Sequence, residues 1–99
     1  MEAALTFQEF TENLNTKFHI PVNDSQRVEL ELAEISELKQ TPRNEEFAVV
    51  FRGPKEIFLG QGMRALEHEK LGKLELFIVP IREDEKGYYY EAVFNRFLD

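Results

Sequence analysis

Two apolar runs near the carboxyl end of the chain constrain its fold more than any other feature. Residues 74–82 are rich in β-branched and aromatic side chains, and residues 88–97 repeat that composition. A short charged segment that ends in Gly87 separates them, which is the pattern of an antiparallel β-hairpin. The sequence therefore predicts a small, mainly β domain whose core is built from aromatic side chains.

Length and composition predict one folded domain that spans residues 1–99. A chain of 99 residues is long enough to bury a single core. Nine phenylalanines and a hydrophobic fraction of 42% exclude a disordered segment, which would be poor in aromatic residues. Because there is no cysteine, packing must stabilise the fold without disulfides or a thiolate-bound metal.

The chain is acidic, with 12 basic residues, 19 acidic residues and a formal net charge of -7. Its lysines and arginines do not cluster, which argues against nucleic acid and against an anionic membrane as partners. Residues 1–5 lack the features of a signal peptide, and no segment approaches the ~20 apolar residues of a membrane span. We expect a cytoplasmic protein, or one that is exported only as part of a larger assembly.

The amino-terminal segment predicts one short helix, residues 6–14. Thr6 and Glu9 form a capping-box pattern, and Leu5 before the cap can pack on Phe10 as a hydrophobic staple. Helical spacing predicts an apolar face of Phe7, Phe10 and Leu14. Because so short a helix is marginal alone, it must pack on the sheet or close one end of a barrel.

Further strands are predicted from alternation of apolar and polar residues. They cover residues 17–22, 27–38, 47–51 and 63–68. The alternation of the second strand shifts phase, which indicates a β-bulge near Ala33 or Glu34. A helix over residues 31–39 is the alternative, since Glu, Leu and Ala favour it. Residues 39–46 are polar and contain a proline, so we predict a loop there.

Short strands separated by turn signals predict an antiparallel barrel or a strongly bent sheet of about six strands, with one short N-terminal α-helix. No linker or internal repeat divides the chain. The predicted core consists of Phe10, Phe18, Val28, Leu30, Leu32, Phe47, Val49, Phe51, Leu66, Leu76, Ile78, Tyr90 and Phe94.

No pattern in the sequence predicts a catalytic, cofactor or metal site. His68 lies between two glutamates, but neighbours along a strand point to opposite faces, and the second histidine of a helical zinc motif is missing. We expect a surface or turn histidine there, and a half-exposed His19 on an edge strand. Residues 60–62 carry two glycines without the remaining residues of a phosphate-binding loop. The sequence therefore favours a protein that is not an enzyme.

Arg52 and Gln61 are candidates for the mouth of a ligand-binding barrel. Arg52 lies at a predicted strand end, just before a Gly-Pro turn, where its guanidinium can clamp a carboxylate through two parallel hydrogen bonds. An internal partner such as Glu91 is favoured over a ligand, because partly buried arginines are normally paired.

Tyr89, Glu91 and Val93 form the candidate protein interface. Alternation puts these three residues on one face of the last strand and Tyr90 and Phe94 on the other. If the Phe94 face is the core, Tyr89 is exposed beside Val93, and exposed tyrosines are enriched at protein interfaces. Tyrosine is also common in strands simply because its side chain suits them, so both interpretations stay open.

Several short segments distributed along nearly the whole chain form a recognisable pattern. They are Leu5-Thr6, Phe10, Phe18, Val28-Glu29-Leu30, Phe51-Arg52-Gly53-Pro54, Gln61-Gly62, His68, Leu71-Gly72, Leu76-Phe77-Ile78-Val79-Pro80 and Tyr90-Glu91-Ala92-Val93-Phe94-Asn95. With these segments the chain resembles a small stand-alone bacterial domain family of unknown function. The resemblance implies a cysteine-poor single domain, proximity of some members to genes for phage-tail-like structures, and no catalytic residues. The chain departs from the pattern at Met63-Arg64, where a small residue followed by an aromatic one is expected.

These observations favour a non-enzymatic protein-interaction or structural module of a bacterial assembly. The phage-tail-like setting of that assembly is implied by the resemblance alone. The alternative is a β-barrel that binds a small anionic molecule. We expect a protein partner, which the sequence does not identify, and no cofactor or metal.

Overall fold

The computed structural model of the protein describes residues 6–97 and is mainly β. These residues form one short helix, α1 (Phe7–Glu12), and seven strands. The strands are β1 (Lys17–Pro21), β2 (Arg27–Ile35), β3 (Lys39–Thr41), β4 (Asn44–Gly53), β5 (Gly62–His68), β6 (Gly72–Asp84) and β7 (Gly87–Phe97).

Six of the strands form a closed antiparallel barrel, which confirms the predicted fold class. Around the ring they run β2-β1-β5-β6-β7-β4, and a pairing between β2 and β4 closes it. β3 lies outside the ring as the hairpin partner of β4. The predicted carboxyl-terminal hairpin is present as β6 and β7. We call the end of the barrel that carries α1 the lower end, and the end that carries the β4–β5 connection the upper end.

The wall of the barrel is paired unevenly. β4 and β7 pair along the whole length of β4, whereas β1 and β5 share a single pair, His19 with Glu67. His19 is half-buried, but β1 has neighbours on both sides and is not the edge strand that we expected. The two strands are therefore unpaired between His19 and the upper end.

The helix closes the lower end of the barrel, and its capping box is confirmed. The backbone N–H of Glu9 donates to Thr6 Oγ1 at 3.1 Å, and the backbone N–H of Thr6 donates to Glu9 Oε1 at 2.9 Å. Phe10 is fully buried, with its ring centroid 5.1 Å from that of Phe94. No helix in residues 6–97 is long and apolar enough to cross a membrane.

The predicted helix is too long at its carboxyl end. It stops at Glu12 with Asn13 as its cap, so Leu14 leaves the apolar face and is 39% exposed. The staple residue Leu5 lies outside the described residues. Two residues of the predicted span, Asn13 and Leu14, are thus turn rather than helix, because the helix ends before Asn13.

The predicted bulge in β2 is confirmed, and the helical alternative for residues 31–39 is wrong. Leu32 pairs with Phe51 and Glu34 pairs with Val50, so Ala33 is the additional residue. The strand continues to Ile35. Pairing with β4 buries Leu32 completely, and this tertiary contact outweighs the helical propensity of the segment.

The predicted loop over residues 39–46 is wrong, since most of these residues form a hairpin. Lys39 pairs with Glu46 and Thr41 pairs with Asn44 across a two-residue turn. All of β3 is exposed on both faces. The strand lacked the alternation of apolar and polar residues that identifies a half-buried strand, so the pattern could not indicate it.

The predicted core is confirmed almost completely. Twelve of the thirteen residues are buried, and Phe94 is half-buried and packs against the others. The structure adds Ile20, Ala92 and His68 inside the barrel. Two further buried residues, Val50 and Tyr89, lie on strand positions that alternate with the core and therefore face outward.

Candidate functional site

Arg52 is held on the outer surface of the barrel by an internal ion pair. Its Nη2 donates to Glu31 Oε1 at 2.6 Å, and both side chains are half-buried. An internal partner was expected, but the partner is Glu31 and not Glu91. The reason is the register, because Glu31 lies directly opposite Arg52 across the β2–β4 pairing that closes the barrel.

The structure does not bring Arg52 and Gln61 together at one mouth. Arg52 lines a small outer cavity of about 220 Å³, which also contains the ion pair of Lys17 and Glu29 at 2.5 Å. Gln61 is exposed in the β4–β5 connection and does not line that cavity. The lining also includes Lys86. Arg52 and Lys17, however, are already paired with the two glutamates of the lining, so neither that guanidinium nor that ammonium group is without a carboxylate partner here.

The expectation that Tyr89 is exposed is wrong. The residue is 6% exposed, its hydroxyl donates to Asp84 Oδ2 at 2.9 Å, and the Arg82 guanidinium carbon lies 4.2 Å from the ring centroid. Arg82 also pairs with Glu34 on β2 and so reaches across the outside of β7 and β4. Burial, and then the bond to Asp84, raises the pKa of Tyr89. This side chain holds the outer wall together and is not a free contact residue.

Val93 is exposed on the outer face, and we group it with two exposed apolar residues of β5 and β6. Met63 on β5 and Phe77 on β6 are direct cross-strand partners and are 60% and 47% exposed. Val93 on β7 is 60% exposed. We call Met63, Phe77 and Val93 the apolar band.

Acidic residues border this band. Glu75 lies on the same face of β6 as Phe77, because it precedes Phe77 by two residues, and it pairs with Ala65 of β5. Glu91 is partly exposed and pairs with Val79 between β6 and β7. The outer face of β5, β6 and β7 therefore combines exposed apolar side chains with flanking carboxylates.

The upper end of the barrel has a groove where β1 and β5 are unpaired. It encloses about 810 Å³. We call it the mouth groove, and its lining consists of Ile20, Pro21, Val22, Ser25, Gln26, Arg27, Val28, Ile57, Leu59 and Arg64. The backbone N–H of Leu59 donates to the Tyr90 hydroxyl at 2.9 Å, which ties the β4–β5 connection to the core beside the groove.

The expectation of a surface histidine at position 68 is wrong, although His68 does lie directly before the β5–β6 turn. The residue is 8% exposed, and its ring centroid is 4.4 Å from that of Phe18. A signal in the sequence was available, because Leu66 and His68 share one face of the strand and Leu66 is a core residue.

Internal hydrogen bonds engage both ring nitrogens of His68. Nδ1 accepts from the backbone N–H groups of Lys70 at 3.0 Å and Leu71 at 3.1 Å, so the ring proton is on Nε2, which donates to Thr16 Oγ1 at 2.9 Å. Burial lowers the pKa of His68. The imidazole is thus neutral and stabilises the β5–β6 turn. Within the described part of the chain, no group of three or more His, Asp and Glu residues can hold a metal ion.

One family model matches the chain over residues 5–94, and its description is Domain of unknown function (DUF6916). The chain belongs to this family. The match covers most of the 99 residues and confirms the resemblance to a stand-alone domain of unknown function. No curated protein and no solved structure matches the chain.

The family supplies no residue roles, so those roles have to come from the geometry. Val93 and Glu91 stay accessible, whereas Tyr89 and Arg52 are engaged within the wall. Met63 and Phe77 were missed, although each alternates with a core residue along its strand and so had to face outward. Arg64 was missed as well, although it shares its side of β5 with the core residue Leu66 and so had to face inward.

Proposed function

We propose that the chain is a non-enzymatic protein-interaction module of a larger bacterial assembly, and that it binds its partner through the apolar band. The observation that supports this most directly is the direct pairing of Met63 with Phe77 on the outside of a barrel that buries most of its other large side chains. Exposed apolar side chains that lie side by side are typical of interaction surfaces, whereas single exposed ones are common everywhere.

The borders of the band specify the chemistry of the partner. Glu75 and Glu91 flank the apolar side chains, and the chain as a whole has a formal net charge of -7. Complementary charge selects partners and accelerates their association. We therefore expect a protein surface that offers apolar side chains surrounded by lysine or arginine.

The arrangement of His68 supports a module without enzymatic activity. A general base or a metal ligand needs a free nitrogen that can reach a substrate or an ion. Both nitrogens of His68 have partners within the fold. Following the resemblance to a bacterial family, we expect the partner to be a component of a phage-tail-like assembly.

Affinity capture from the native host tests the proposal with three forms of the tagged protein. They are the wild type, the double variant Met63→Ser with Phe77→Ser, and the control Leu14→Ser, which removes an exposed apolar side chain at the lower end. Loss of two central anchors is expected to weaken capture by at least about tenfold. The control should capture the partner as the wild type does, and thermal unfolding should show that all three forms are folded.

If the folded double variant captures the partner as well as the wild type does, the apolar band is not the docking surface. Failure of the abundant, folded wild type to capture any stoichiometric protein would contradict the interaction module as a whole. Site-specific crosslinking from position 77 would identify the contact surface of a captured partner. An acidic contact surface would contradict the expectation of a lysine- or arginine-rich partner.

A further inference from the structure

The mouth groove concentrates positive charge in a strongly acidic chain. Its ten lining residues include Arg27 and Arg64 and no aspartate or glutamate, although the chain has 19 acidic and 12 basic residues. Five of the lining residues are large aliphatic side chains: Ile20, Val22, Val28, Ile57 and Leu59. The groove therefore offers apolar walls together with two guanidinium groups, and a low-dielectric cleft of one charge sign attracts the opposite sign.

Arg64 is the arginine that lies on the inner face of the barrel wall. It alternates with Met63 and shares its side of β5 with Leu66, which is fully buried. Its Nη2 donates to the backbone carbonyl of Gly60 at 2.8 Å. Its Nε is buried and has no hydrogen-bond partner among residues 6–97. A charged donor that is left unpaired in the interior is unfavourable, so an added acceptor would stabilise this site.

Other arginines of the chain show what Arg64 lacks. Three of them pair with glutamates: Arg52 with Glu31, Arg82 with Glu34 and Arg96 with Glu45. No carboxylate of residues 6–97 forms a salt bridge with Arg64, even though it is half-buried like Arg52. An anion that enters the groove meets a guanidinium whose sole acceptor in the described chain is one backbone carbonyl.

We propose that the mouth groove binds a carboxylate that is carried on an apolar body, with Arg64 as the anchor of the carboxylate. The volume of about 810 Å³ falls within the range of about 300–1,000 Å³ that is typical of small-molecule sites. Arginine matches a carboxylate through two parallel hydrogen bonds, and the aliphatic walls take the apolar part. Arg27, at the start of β2, adds positive charge at the rim. The missing β1–β5 pairs above His19 leave the ligand a route into the barrel wall.

Two sources present this chemistry: a free carboxylic acid with an alkyl chain, and the carboxyl terminus of a peptide with apolar side chains. The test therefore uses sodium octanoate and the peptide acetyl-Leu-Leu with a free carboxylate. Octanamide and the amidated peptide are the uncharged controls. Inorganic phosphate alone tests whether any anion suffices. Calorimetry measures affinity, and proton–nitrogen NMR of the backbone and of the arginine Nε–H groups locates the binding.

A charged probe is expected to bind at least about tenfold more tightly than its amide, because only the carboxylate pairs with the guanidinium. The Nε–H resonance of Arg64 should shift on binding, together with the backbone resonances of Ile20 and Leu59. Tighter binding of octanoate would identify a free acid as the source, and tighter binding of the peptide would identify a carboxyl terminus. Both results support the proposal.

Variants separate the role of Arg64 from general charge effects. Arg64→Gln should weaken octanoate binding at least about tenfold, and Arg64→Lys should weaken it by less, because lysine keeps the charge but loses the planar fork. Arg43→Gln, in the exposed β3–β4 turn, removes the same charge elsewhere and should leave binding unchanged. Met63→Ser should also leave it unchanged, so failure at the groove is distinguishable from failure of protein docking at the apolar band.

Three results would overturn the proposal. They are equal affinity for acid and amide, phosphate binding as tight as octanoate binding, and no saturable binding up to about 10 mM. The last limit lies above the dissociation constant of about 1 mM that a ligand of about ten non-hydrogen atoms reaches at ordinary ligand efficiency. If Arg64→Gln does not fold, the role of Arg64 is tested in the wild type through its Nε–H resonance. An unchanged resonance at saturating octanoate would show that Arg64 does not bind the carboxylate.

Discussion

Replacement of Tyr89 distinguishes a structural residue from an interface residue. In Tyr89→Ala the chain loses a ring that is 6% exposed, its bond to Asp84 and the stacking of Arg82. Truncation of a buried aromatic side chain costs about 3–5 kcal/mol in a core, and this ring lies on the outer face of the wall, beneath Arg82. We therefore expect the free energy of unfolding to fall by about 3 kcal/mol.

Two further variants divide this loss into its parts. Tyr89→Phe keeps the ring and removes the hydroxyl, so it should lower the free energy of unfolding by about 1 kcal/mol, the usual contribution of one hydrogen bond. Val93→Ser removes a side chain that is 60% exposed on the same face, so its effect should stay within about 0.5 kcal/mol.

Urea titrations at one fixed pH, followed by far-ultraviolet circular dichroism, measure all three variants. The slopes should equal that of the wild type, which shows that the comparison concerns stability and not a change in the unfolded state. If Tyr89→Ala is destabilised no more than Val93→Ser, the ring is not clamped beneath Arg82. In that case Tyr89 would return as a candidate interface residue.

Two other predictions concern backbone space and protonation. Gly87→Ala should lower the free energy of unfolding by about 2–4 kcal/mol, because at its φ of 147° the added Cβ would lie 2.0 Å from the Gly53 carbonyl oxygen. Gly60 has open space around it, so Gly60→Ala should leave the free energy of unfolding within about 1 kcal/mol of the wild type. Similar urea midpoints for Gly87→Ala and Gly60→Ala would contradict the prediction. The folded state lowers the pKa of His68, so the unfolded chain binds more protons and stability should fall as the pH drops below about 6.5. His68→Gln should remove that part of the pH dependence in urea titrations, and an unchanged profile would contradict it.

Local patterns predicted the elements whose two faces differ. The carboxyl-terminal hairpin, the capping box at Thr6 and the bulge at Ala33 each depend on residues close together in sequence. The core followed from alternation for the same reason, because a strand in a closed wall has one apolar face. β3 escaped prediction since both of its faces are exposed.

The errors at Tyr89 and Arg52 have a common physical origin in the closure of the barrel. Tyr89 is covered because Arg82 reaches Glu34, which is 48 residues away in the chain. Arg52 pairs with Glu31 because β2 and β4 are neighbours. Neither contact can be derived from alternation, which assigns a face to each side chain but does not identify the strand beside it.

β5 shows why two different surfaces can originate from adjacent residues. Met63 faces outward into the apolar band and Arg64 faces inward to the mouth groove, because successive side chains of a strand lie on opposite faces. An apolar side chain next to an arginine carries no functional meaning in a linear sequence. In the barrel the same two residues lie on opposite sides of one wall, where Met63 has Phe77 beside it and Arg64 has no carboxylate partner among residues 6–97. Pairing of β5 with β1 is limited to a single residue pair, whereas its pairing with β6 is continuous from Gly62 to His68. The two surfaces proposed on this strand therefore differ in how completely backbone pairing closes the wall beside them.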